Sequence, residues 1–263
     1  IGMSTDDIGN LAAILGDLSH FDQQADRMQQ GLLNQQFLGR LLNHPAGFAS
    51  SPEFQAATGT PLVAIGETQF VGNSQGGILG GAASAVSSEW SRVVLGVPGI
   101  NYSLLLPRSS DWPEFQTIFD VAYTDPVSRV LALQLIQLLW DRGENDGYAQ
   151  HLTTAPYPGI DAKHALTVQA FGDHQVSHVA TEAPNQVDAC CRTVRSSASS
   201  PSGWSSINAI VTSASLAGAT PADSSLMTTS ELIGPRPSPF SKRSRPRQGA
   251  AGAANASEMA DRG

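Results

Sequence analysis

The sequence predicts an α/β protein, a parallel sheet flanked by helices, followed by a low-complexity tail. Three observations carry that expectation. Short apolar or β-branched runs at residues 68–71, 92–97 and 165–171 alternate with segments whose apolar side chains recur every three to four positions, and that alternation specifies parallel strands. A Gly-rich turn, Gly72-Asn73-Ser74-Gln75-Gly76-Gly77, joins the first run to a segment made largely of tiny residues. The last third of the chain changes to Ser, Ala, Pro, Gly and Arg, which bury too little apolar surface to offset chain entropy.

The elements follow in order. Ser4 and Asp7 have the spacing of a capping box ahead of Ile8, Leu11, Ala12 and Leu15, which share one helical face. Residues 22–42 form a second helix, with Met28, Leu32, Leu33, Phe37, Leu38, Leu41 and Leu42 on its apolar side and a solvated face rich in Gln. Residues 44–60, punctuated by Pro, Gly and Ser, read as a loop, and residues 62–65 as a short strand. After the Gly-rich turn, residues 77–86 form a helix small enough to pack closely on the sheet. Residues 92–97, closed by Pro98 and Gly99, have the pattern of a strand buried on both faces. Asp111-Trp112-Pro113 starts a helix that reaches Val121. Asp125, followed by Pro126, caps another, whose apolar positions are Val130, Leu131, Leu135, Leu138 and Leu139. Residues 144–163 read as a long surface excursion. Residues 165–171 alternate into Gly172-Asp173, a strand ending in a turn that displays a carboxylate. The chain divides into a helical segment (1–60), either a lid or a shortened N-terminal part, a core (61–189) and a tail (190–263), in which only 207–216 could order.

Composition excludes several functions. With 263 residues and 41% hydrophobic content the chain can bury a core, and a net charge of −8 argues against a nucleic-acid partner. The basic cluster at 242–247 sits in low-complexity sequence and reads as solvated. Cys190 and Cys191 are the only cysteines; their adjacency gives neither a disulfide framework nor metal-ligand spacing, and neither metal nor cofactor is expected. No apolar run is long enough to span a membrane.

The chemistry centres on the Gly-rich turn. Gly-x-Ser-x-Gly between a strand and a helix lifts a serine hydroxyl above a sheet, with glycine on each side where bulk would clash. Ser74 is therefore the candidate nucleophile, and the backbone N–H of Gln75, the next residue, the candidate oxyanion donor. A serine needs a histidine to take its proton and a carboxylate to orient that histidine. Asp173 is placed for the carboxylate, at the C-terminal end of a strand two positions along the sheet. Asp141 and Asp146 follow a helix and fit less well. A phosphate-cradling loop is disfavoured because no Lys follows Gly76-Gly77.

Residues 7–182 resemble a bacterial group of α/β-hydrolase-fold serine esterases and lipases. The runs Gly72-Asn-Ser-Gln-Gly-Gly77, Val94-Leu-Gly-Val-Pro-Gly-Ile-Asn-Tyr-Ser103, Leu139-Trp-Asp-Arg-Gly143 and Phe171-Gly-Asp-His-Gln-Val176 carry the resemblance. It implies a partial α/β-hydrolase fold and hydrolysis of a small-molecule or lipid carboxylic ester, with Ser74 and Asp173 in the catalytic triad. Trp112, Phe115, Phe119 and Trp140 could line an acyl site, though their helical spacing equally suits a core. The chain departs from the family at both ends. Few strands can precede the turn, and no histidine occurs after His178, where the family places its base. His174 and His178 lie close behind the acid, while His151 and His164 precede it. The change of composition after Glu182 is what replacement of the last strand and histidine loop by unrelated sequence would produce. The competing expectation is therefore a hydrolase-fold chain that binds or supports without catalysis.

Overall fold

The computed structural model describes residues 7–187 and 192–197, with side chains for residues 7–182. The element order begins with helices α1 (Asp7–Gly16) and α2 (Phe21–Asn43), then strand β1 (Phe70–Asn73), α3 (Gln75–Ala85) and β2 (Arg92–Gly96). Between β2 and the next strand lie α4 (Tyr102–Leu105), α5 (Trp112–Ala122), α6 (Pro126–Trp140) and α7 (Ala149–Leu152). Strand β3 (His164–Phe171), α8 (His178–Val187) and strand β4 (Arg192–Ser197) complete the described chain. The contact map divides the chain into Ile1–Ala222 and Asp223–Gly263, and the second unit lies outside the described residues.

The sheet is parallel throughout and its order follows the chain, β1-β2-β3-β4. Registers such as Gly72↔Leu95 and Leu95↔Thr167 bring the C-terminal ends of β1, β2 and β3 to one edge. Val168 and Ala170 alternate along β3 with Thr167 and Gln169, and all four are buried, so this strand is covered on both faces. Helix α3 packs on β1 and β2 because its glycines permit it. A Cβ on Gly80 would run into the Phe70 ring, and one on Gly77 into the Gly96 carbonyl oxygen. Phe21, Leu79, Val93 and Phe119 lie in one continuous apolar core.

Several expectations change. Residues 62–65 form bends and the start of a turn rather than a strand; Pro61 makes one isolated bridge with Gln55, and Leu62 and Ile65 stay exposed. Proline at the head of so short a run removes a ladder donor. Strand β1 begins at Phe70, two residues later than the sequence suggests. The excursion at 144–163 opens inside the molecule, with Glu144 and Asn145 buried and two short helical turns following. The segment from residue 192, expected to lack fixed structure, starts with β4, in which Thr193 and Val194 have β-branched side chains and the backbone pairs with the buried β3. The remaining tail expectations, including order at 207–216, lie outside the described residues. Helix α2 buries Met28 and Leu32 but leaves Leu33, Phe37 and Leu41 exposed, while Gln24 from its polar set is buried. Helix α6 shows the largest reversal: Leu133, Ile136 and Trp140 face the core, whereas Val130, Leu131, Leu135 and Leu138 face outward. Among the described residues no helix is long and apolar enough to cross a membrane, and no cluster of His, Cys, Asp or Glu could hold a metal ion.

Candidate active site

Ser74 stands between β1 and α3 with φ 54° and ψ −123°, a backbone conformation that costs a non-glycine residue on the order of 1–3 kcal/mol. Its neighbours hold it there. The Ser74 N–H donates to Gly96 O at the end of β2 (3.1 Å), and its carbonyl accepts from the N–H groups of Gly77 (2.8 Å) and Ile78 (2.9 Å). Gly72 is required sterically, because a Cβ would meet the Gly76 carbonyl and the Phe70 ring. Gly76 differs from its expected role: a Cβ there points into open space, so its glycine has no steric cause in this turn. The constraint falls instead on Gly77, packed against the Gly96 carbonyl.

Ser74 is half-buried, and among the described residues its hydroxyl makes no hydrogen bond. Gln75 is the first residue of α3, so its N–H has no intrahelical acceptor and lies at the positive end of the helix, the arrangement expected of an oxyanion donor. Asn73 precedes the serine and packs over Gly96; its side-chain Oδ1 is buried with no partner among the described residues.

Asp173 lies just past the end of β3, two strands from the serine, as the sequence indicates. One carboxylate oxygen, Oδ1, accepts from the N–H groups of Gln175 (2.8 Å) and Val176 (3.0 Å), which fixes the turn. The other, Oδ2, is buried and has no partner among the described residues. The capping and catalytic interpretations of this residue therefore use different oxygens. Gly172, in the left-handed region at φ 83°, makes the turn possible.

The histidines are engaged elsewhere. His178 packs its ring on Phe171 (4.9 Å between centroids), and His151 stacks on Tyr157 (4.1 Å) and meets Ala155 O through Nδ1 (2.7 Å). His174 is exposed and accepts from Ser110 N–H through its backbone carbonyl, and His164 occupies the exposed start of β3. Among the described residues no histidine is hydrogen-bonded to Ser74 or Asp173.

Two features beside the turn are absent from the sequence reading. The chain leaving β2 is strained at Val97, where a β-branched residue has φ 44°, and Ile100 N–H then bonds Ala180 O (2.9 Å). Nothing in a Val-Pro-Gly string signals that conformation. Behind α3, Asn145 donates to Gly77 O (2.7 Å) and accepts from Ala82 N–H (3.1 Å), clamping the helix that carries the turn. Its neighbour Glu144 is fully buried. One of its oxygens accepts from Gln137 Nε2 (2.5 Å) and Tyr102 N–H (3.1 Å), while the other has no partner among the described residues. Burial pushes its carboxyl up to about 8, reinforced by Asp146 and Asp141 and opposed by those two hydrogen bonds. A polar run ending Asp-Arg-Gly-Glu-Asn-Asp-Gly looks like surface loop, so sequence gave no sign of either role. Trp112, Phe119 and Trp140 belong to the apolar core rather than to a pocket beside Ser74, with Phe115 packed against it.

Comparison with the profiles of known protein families, with curated proteins and with solved structures found no match to this chain.

Proposed function

We propose that this chain carries a serine hydrolase site for carboxylic esters on a partial α/β-hydrolase fold. The observation that carries this reading is the Ser74 backbone, φ 54° and ψ −123°, at a strand-to-helix turn on a parallel sheet. Strain of this kind persists only where surrounding structure over-determines it, and a nucleophile elbow supplies a reason for it. Asp173 supports the reading through its buried, unpartnered Oδ2 at the end of the third strand. In the reaction, the Ser74 hydroxyl adds to the ester carbonyl while its proton passes to a base. The carbonyl oxygen, now negative, is held by Gln75 N–H. Collapse expels the alcohol, which takes the proton back, and water then releases the acid from Ser74.

A second reading, a hydrolase-like chain that binds without catalysis, is favoured by one observation: no histidine bonds Ser74 or Asp173 among the described residues. Hydrolysis of p-nitrophenyl butyrate and labelling by a fluorophosphonate, each compared with Ser74→Ala, separate the two. The catalytic reading expects both to fall at least about 1,000-fold in the variant. Single alanine variants at His151, His164, His174 and His178 then identify the base. A folded protein that neither turns over nor labels overturns the catalytic reading.

A further inference from the structure

The outward side of α6 is strongly apolar and exposed. Val127 (65%), Val130 (62%), Leu131 (57%), Leu135 (67%) and Leu138 (70%) are exposed along a helix of about 22 Å. Their spacing of three and four residues puts them on one face, opposite the buried Leu133, Ile136 and Trp140. Beside its N-terminal half runs a half-open groove of about 410 Å³, lined by Leu104 and Pro107, by the polar residues Asn101, Ser103 and Arg108, and by residues of α6 that include Val130.

We propose that this face binds a second copy of the same chain, α6 against α6, antiparallel about a two-fold axis. Four observations select that occupant. First, the face is self-complementary: an axis near residues 132–133 sets Val127 against the partner copy's bulkier Leu138, and Val130 against its Leu135. The groove lies beside Val130, so it receives that leucine. Second, Arg129 is the only charged residue from 126 to 140 and is already paired with Asp120, so the two helices themselves bring no like charges together, and the one cation of the groove, Arg108, donates to Leu104 O. Third, antiparallel pairing places each helix's positive end near the other's negative end. Fourth, the five side chains expose on the order of 500 Å² per copy, so a pair that covers them fully buries about 1,000 Å², the least that a specific interface needs. The same axis sets Gln134 against the partner copy's Leu131, one to two residues from the axis, where its amide can still reach its symmetry mate and fix the register. A lipid surface fits less well. Interfacial helices carry several Lys or Arg and an outward aromatic, whereas Arg129 is paired and Trp140 is buried.

The proposal does not depend on the hydrolase reading. Its test is sedimentation velocity of the full chain across a concentration series, beside Leu135→Glu and Val130→Glu, both outward-facing and checked for native circular dichroism. The expected result is a dimer whose dissociation constant rises at least about tenfold in each variant. A benzoyl-phenylalanine at position 138 should also cross-link to a peptide containing Val127, in a species of twice the chain mass. A monomer at every concentration, or a dimer indifferent to both substitutions, overturns the proposal. So does a cross-link from position 138 into residues 198–263 of the same chain. Co-sedimentation of a monomer with phosphatidylcholine vesicles, lost in Leu135→Glu, overturns it in favour of a lipid partner.

Discussion

At Gly72 and Gly77 a single methyl group would collide with main-chain oxygen, whereas at Gly76 it would meet nothing. Alanine at 72 or 77 is expected to cost about 2–4 kcal/mol, because the obstructing atoms are backbone carbonyls that cannot rotate away. Alanine at 76 is expected to be neutral or to stabilise by about 0.5–1 kcal/mol, since glycine inside a helix is the poorer choice. Urea melts of the three variants check this, and similar losses at all three would show that the turn is not built as described. Glu144 gives a pH prediction. Burial pushes its folded carboxyl up to about 8 from an ordinary value of 4.5, so between those values the folded state holds a proton that the unfolded state has released. Stability therefore falls as pH rises through that window, by up to about 1.4 kcal/mol per pH unit. Glu144→Gln, which mimics the protonated carboxyl beside Gln137, Tyr102, Asp141 and Asp146, should flatten that slope in melts recorded from pH 5 to 8. Neither the Glu144 environment nor the Val97 strain was legible in sequence, because both depend on which distant segments close over them. The strand-to-helix turn at Ser74 and the strand-end position of Asp173 were legible, because a Gly-x-Ser-x-Gly string between an apolar run and a small-residue helix, and a Gly-Asp pair after an alternating run, are local signatures.

Among the elements, the helices with local start signals were the readable ones. Asp125 accepts from Ser128 N–H (2.7 Å) and Pro126 occupies the first turn, so α6 begins where the sequence places it. Which face of α6 turns inward was not readable. Leucine occurs on both sides of the helix and valine or isoleucine on each, so periodicity alone does not choose between them. The same ambiguity affects α2, whose apolar side is wider than the core beneath it. The segment at 144–163 misled for the opposite reason, since polar residues normally avoid the interior and these are retained by hydrogen bonds to α3 and α4. Lys163, at its end, is likewise buried and donates to Ser87 O (2.6 Å) and Trp90 O (2.9 Å), tying the start of β3 to the chain entering β2. Lys163→Met keeps the apolar stem but leaves both carbonyls unpaired, an expected loss of about 2 kcal/mol measurable by thermal melts. An unchanged midpoint would mean that the carbonyls find other donors.

For the molecule as a whole, the alternation of strands and helices correctly indicated a parallel sheet, because each crossover helix leaves its period in the sequence. β4 escaped notice, since a strand of six residues in polar sequence gains its stability from β3 rather than from its own composition. The order β1-β2-β3-β4 has a kinetic consequence. Strand β1, which ends in Ser74, pairs on one side only among the described residues, while β2 and β3 are each held on both. Such a strand opens without breaking the rest of the sheet, so amide hydrogens of residues 70–73 that bond β2 should exchange with deuterium faster than those of 93–95 or 166–169. Ser74 would then spend part of its time off its scaffold, in a partly open state that is shortened when the neighbouring strands are stabilised. Exchange of 70–73 at the same rate as β2 would instead mean that the turn and the sheet open as one unit.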